Sequence, residues 1–195
     1  MTTDIKTITA SSHQSLEGFL IPVIKNIFTV QEYGRLLRMF YGYYKPVEDA
    51  LETFSLHQVL NDYEHRRKAQ LILQDLAAID QSGPEPLCSH IPVIYGLEEA
   101  FGALYVLEGS TLGGQIIKKM LQRNLQRDGE PGFGFFTGYA EDTMDRWKKF
   151  KAVLDARYNT DEQWHRLAAA ANETFIQLKK WAEYCYRYEP TKEKL

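Results

Sequence analysis

The stretch LEGSTLGGQII, Leu107 to Ile117, lies inside a pattern that otherwise reads as one long helix from Ile94 to Leu125. It puts Gly109, Gly113 and Gly114 in the helix interior, with Ser110 and Thr111 between them. Each interior glycine costs roughly 0.8–1 kcal/mol relative to alanine, so three cost on the order of 2–3 kcal/mol. That is a large share of a typical folding stability. Gly109 and Gly113 are four apart and share a face, which Gly114 adjoins. Three explanations stand open: another helix packing closely on small residues, a true break at Gly113-Gly114, or a ligand laid against bare backbone.

On both sides the apolar spacing stays helical. Residues 4–20 carry Ile5, Ile8, Leu16, Phe19 and Leu20 on one face, and Ile21-Pro22 predicts a break after them. Thr29 reads as the cap of a helix over Val30 to Phe54, which Pro46 would kink or divide. A further helix is expected over 58–79, then a loop over 81–86. Asp128 to Gly132 forms a second loop, and Phe133, Phe135 and Phe136 follow it. Helices over 141–157 and 161–186 and a fraying charged tail complete the chain. With no sustained alternation and no hairpin dipeptide, the fold class is all-α. We expect six or seven helices in a single domain over 1–195, with its core at about 8–185.

The 195 residues are 44% hydrophobic and 25% charged, which fits one globular domain with a substantial core. A net charge of -3 gives no bulk attraction to nucleic acid or to an anionic membrane. The two cysteines, Cys88 and Cys185, lack CxxC spacing and read as structural thiols in a reducing compartment. No basic leader with an apolar core opens the chain, and no apolar run approaches the ~20 residues of a membrane span. The expected location is the cytoplasm.

Of the five histidines, His13 is singled out by its neighbours. On a helix it shares a face with Ile5, Leu16 and Leu20, and Glu17 follows four residues later. A carboxylate that holds one ring nitrogen leaves the other oriented toward a metal. A solvated pair at the helix edge is the alternative. Glu162 and His165 have ExxH spacing, but without the second copy that a di-iron bundle needs. Neither GxSxG nor GxGxxG is present, so any electrons come from outside the chain.

Taken together, these features resemble the haem oxygenase family, especially its bacterial biliverdin-producing branch. Ala103 to Ile117, ALYVLEGSTLGGQII, is similar to the family's glycine-bearing distal helix, and His13 with Glu17 to its proximal pair. Weaker matches are Pro92, Phe135-Phe136, Trp147 with Phe150, and Ala171 to Phe175 leading to Trp181. The resemblance implies a multihelical bundle in which haem is both substrate and cofactor. His13 would ligate the iron and Glu17 would orient the imidazole. Gly109, Gly113 and Gly114 would touch the haem face and leave room for dioxygen, with Gly109, Ser110 and Gly113 as the catalytic distal positions. The products would be biliverdin, carbon monoxide and ferrous iron.

Mammalian-type members carry an aspartate where Ser110 stands. A hydroxyl can relay a hydrogen bond but carries no charge. In the region the family uses for propionates stand Lys148, Lys149 and Lys151, of which Lys148 and Lys151 are the candidates. Tyr41, Tyr44 and Tyr105 are candidates for the pocket lining. A ferredoxin, flavodoxin or reductase would dock on Lys118, Lys119, Arg123, Arg127 and Arg146. The competing readings are a haem carrier or sensor without turnover, and the same fold around another ligand.

Overall fold

In the computed structural model, which describes residues 5–84, 86–129 and 131–187, no strand occurs among the described residues. Helix α1 covers Ile5–Lys25 and α2 covers Val30–Glu52. The cap at Thr29 is as expected: its hydroxyl accepts from Glu32 N, while Glu32 reaches back to Thr29 N at 3.0 Å. Neither proline breaks its helix. α1 runs through Pro22, against the break expected there, with Asn26 bonding the Pro22 carbonyl near the helix end. Pro46 has no N–H for Gly42 O, and that carbonyl instead accepts from Cys88 N at 2.8 Å.

The helix expected over 58–79 is also corrected. Two short 3-10 turns, Leu56–Gln58 and Tyr63–His65, precede a shorter α3 over Gln70–Ala78. This segment bends because Glu48 of α2 takes Ala69 N on both carboxylate oxygens. The long helix expected over 94–125 divides in two, α4 at Leu97–Gly109 and α5 at Thr111–Leu125. The joint is Ser110, not Gly113-Gly114. Ser110 keeps near-helical angles (φ -62, ψ -21), so α5 continues α4 with a bend rather than a turn. A single-turn α6, Gly134–Thr137, is followed by a 3-10 turn, then by α7 at Thr143–Arg157 and α8 at Asp161–Arg187. The charged tail lies outside the described residues.

Helix α8 is the central post. α4 crosses it at Gly102, where a Cβ would stand 2.3 Å from Leu167 O. Along α8, Arg166 pairs with Glu99, Gly102 meets Ala170, Asn172 bonds Ser12, and Lys179 bonds Ser15. Both α1 and α4 therefore run in the same direction as α8. α2 runs against it, with Tyr43 OH donating to Thr174 O and Trp181 Nε1 to Met39 O. Phe133, Phe135 and Phe136 pack on Tyr33, Phe40 and Tyr44 of α2, which carries α6 into the core under α5.

Candidate active site

The buried stripe of α1 consists of Ile5, Thr9, Leu16, Leu20 and Ile24, all at most 8% exposed. At 100° per residue, His13 falls inside that stripe, between Leu20 and Ile24. Yet its side chain is 50% exposed. Apolar packing covers the stripe on either side of His13 and leaves it open at that place. The imidazole stacks obliquely on Phe175 of α8, ring centroids 5.1 Å apart, and Glu17 Oε1 lies 3.3 Å from Nε2. Nδ1 is then the ring nitrogen not paired with the carboxylate.

Helix α5 meets α1. Its Asn124 side chain donates to the carbonyls of Lys25 and Ile27, tying the end of α5 to the end of α1. Gly113, Ile117 and Met120 share one face of α5 with Asn124, at the i, i+4, i+7 spacing. With a rise of 1.5 Å per residue, Gly113 lies about 16 Å back from the tie along α5 and His13 about 18 Å back along α1. By that rise the two residues fall at about the same distance from the tie. A Cβ on Gly113 would meet nothing within 4 Å.

The other two glycines behave differently. A Cβ on Gly109 would touch Trp147 at 3.6 Å, an ordinary contact. One on Gly114 would stand 2.5 Å from Phe136 O, so this glycine lets α6 close against α5. Its small size is explained by packing, not by a ligand.

Under the joint lies a polar network. Arg67 Nη2 donates to Leu107 O at 2.7 Å and to Ser110 Oγ at 2.6 Å. Tyr44 OH donates to the same Oγ at 2.9 Å, and Ser110 donates to Leu107 O at 2.7 Å. Ser110 thus has its one proton and both lone pairs engaged within the protein. Next to it, Glu108 is buried with Arg66 at 2.5 Å, and Tyr139 OH donates to the same carboxylate. Burial opposes the Arg66 charge, but Glu108 and Asp62 hold its pKa above the ordinary value. Burial, and then the Glu108 charge, push the Tyr139 phenol up.

The "Heme oxygenase" family model matches residues 86–184 of this chain. A heme oxygenase from Xanthomonas campestris pv. campestris is 30% identical over 129 residues, 64% of this chain and 73% of that protein. The chain belongs to the haem oxygenase family. Two solved structures share the fold of this chain: the NO- and CO-bound heme oxygenase of Neisseria meningitidis and the heme oxygenase of Leptospira interrogans. The first has a TM-score of 0.80 at 22% identity, over 97% of this chain and 94% of that one. The second has a TM-score of 0.72 at 20% identity, over 92% and 97%.

The family degrades haem oxidatively to biliverdin, carbon monoxide and iron, and haem is therefore the molecule this chain takes. The matched segment covers α4 to most of α8 and begins after α1, so it does not include His13. Arg66, Arg67, Glu108 and Tyr139 were not foreseen as neighbours of the distal joint. Arg66 and Arg67 lie where the helix over 58–79 is expected, and no local spacing links them to Ser110, 43 residues on from Arg67. Tyr44, a candidate for the lining, bonds Ser110. Tyr105 packs on Trp147, ring centroids 5.2 Å apart. Lys148 is 68% exposed and lies 4.0 Å from Asp145, and Lys151 Nζ lies 5.9 Å from the Trp147 ring centroid. No helix among the described residues is long and apolar enough to cross a membrane.

Proposed function

We propose that haem lies in the gap between α1 and α5, with the His13 imidazole on the iron and dioxygen admitted on the Gly113 side. The observation that carries this reading is a half-exposed imidazole inside a buried stripe, about as far from the α1–α5 tie as a glycine that faces open space. When bound, haem supplies both the redox centre that activates dioxygen and the ring that is opened. A neutral axial imidazole suits that use better than a thiolate, which promotes O–O cleavage. Glu17 accepts from one ring nitrogen and so fixes the tautomer and direction of the other. Gly113 keeps a side chain off the distal face, and Gly109 borders Trp147. Lys151, above Trp147, is the propionate partner best supported, because Trp147 itself borders Gly109. Lys148 is a weaker candidate that extends from the same helix. The two described cysteines are free thiols, which fits a cytoplasmic setting.

Titration of the protein with hemin tests the ligand. The wild type should give the Soret band of a histidine complex and, with reductant and oxygen, a bilin. His13→Ala should lose the histidine-ligated spectrum and turnover, and added imidazole should restore the spectrum. An unchanged spectrum in His13→Ala would remove His13 from the iron.

Electrons would arrive from an acidic ferredoxin, flavodoxin or reductase docking on α5. Lys119 and Arg123 are exposed there, whereas Lys118 is engaged with Thr137 Oγ1 at 2.9 Å. Lys119→Glu should slow reduction by such a donor at low salt and lose its effect at high salt. Equal rates at low salt would argue against docking at this face.

A further inference from the structure

We propose that Arg67 is a positioning residue for the distal helix: acting through the Ser110 hydroxyl and the Leu107 carbonyl, it sets the bend between α4 and α5 that presents Gly113 to haem. This rests on the haem site proposed above.

The bend lies at Gly109-Ser110 and contains no proline, so something else must hold it. Arg67 provides two donors from one nitrogen, to Ser110 Oγ and Leu107 O, on either side of Gly109. Its guanidinium lies 4.2 Å from the Phe135 ring centroid and 5.3 Å from that of Tyr44, so the planar fork has little freedom to swing. The backbone of Arg67 is fixed as well. Arg67 N donates to Tyr139 OH at 2.7 Å, and that hydroxyl donates to Glu108. The chain of bonds leaves α4 at Glu108 and returns to it at Leu107 and Ser110, closing a ring around the joint.

A guanidinium can only donate, so one Ser110 lone pair is committed to Arg67. The other takes the Tyr44 proton, and the serine's own proton goes to Leu107 O. Ser110 therefore contributes geometry to the distal side: it is the peg on which Arg67 pulls.

The test compares wild type with Arg67→Ala, Arg67→Lys, Ser110→Ala and the double variant Arg67→Ala/Ser110→Ala. In haem-free protein, amide hydrogen exchange over residues 110–114 should be about tenfold faster in Arg67→Ala, since a clamp on local opening is gone. In the haem-loaded enzyme the same variant should lose about tenfold in kcat while its hemin Kd changes less than about twofold, and its biliverdin isomers should become more mixed. Arg67→Lys, with one donor point in place of a fork, should recover part of each effect. The double variant should be no worse than Arg67→Ala, because both residues act on one joint. Wild-type exchange and isomer pattern in Arg67→Ala would overturn the proposal, as would losses that multiply in the double variant. If Arg67→Ala does not fold, the exchange of Arg67→Lys decides, and wild-type protection there would equally overturn it. Failure of the wild type to bind hemin would remove the haem site, while the haem-free exchange still reads the clamp by itself.

Discussion

Gly114→Ala should destabilise the haem-free protein by about 2 kcal/mol, whereas Gly113→Ala, one residue away, should stabilise it by up to about 1 kcal/mol. Both substitutions replace a helical glycine and gain the same propensity. They differ only in what the new methyl group meets. At Gly114 it stands 2.5 Å from Phe136 O and 3.3 Å from Phe136 C, backbone atoms that cannot rotate aside. α6 would have to move, and its Phe135 and Phe136 are 2% and 3% exposed in the aromatic core. At Gly113 the methyl group enters open space. For a chain of this length the two changes correspond to a fall of about 4–8 °C and a rise of about 2–4 °C in the thermal midpoint. A larger side chain at Gly113 separates folding from function: Gly113→Leu should keep the haem-free midpoint while hemin affinity falls about tenfold or more. Thermal melts and hemin titrations of the three variants check this. Equal destabilisation by Gly113→Ala and Gly114→Ala would mean that both glycines serve packing, and the gap opposite His13 would lose its distal wall.

The pair also shows what could and could not be read from the sequence. Spacing put Gly109 and Gly113 on one face, but the three glycines divide among three jobs: Trp147 contact, open gap and helix closure. That division depends on elements remote in sequence. A break at Gly113-Gly114 is one of the three readings the sequence leaves open, because glycine is a weak helix former. The bend falls at Ser110 because Arg67 and Tyr44 hold the joint, and neither announces itself locally. Pro46 misleads for the same reason, since the carbonyl it orphans is satisfied by Cys88, far along the chain. In contrast, the Thr29 cap, the start of α8 and the His13–Glu17 pair are local and were legible. Only the structure reveals that His13 is half-exposed, because exposure inside an apolar stripe depends on the facing elements.

Glu48→Gln should make the protein more stable than wild type at pH 8 and no more stable below about pH 4.5. Glu48 is 7% exposed, and both its oxygens accept from Ala69 N, at 2.9 and 3.0 Å. Burial is the main reason its pKa is pushed up to about 7. The Ala69 amide, Lys68 and Arg67 pull the other way, and Glu52 adds to the rise. A raised carboxyl pKa means that the native state holds the proton more tightly than the unfolded chain, whose value is near 4.5. Between these values the native state binds more protons, so stability falls as pH rises, and the loss is complete above about 7. Each pKa unit is worth about 1.4 kcal/mol, so the move from 4.5 to about 7 corresponds to about 3 kcal/mol. Glutamine retains an acceptor for Ala69 N without the buried charge, so the thermal midpoints of variant and wild type should diverge by about 6–12 °C across that window. The bond that Glu48 makes also anchors the residue two places after Arg67, which fixes the turn from which the guanidinium reaches Ser110. Parallel midpoint curves from pH 4 to 8 would show that Glu48 is ionised at no cost, and that the α2–α3 corner is wetter than its burial implies.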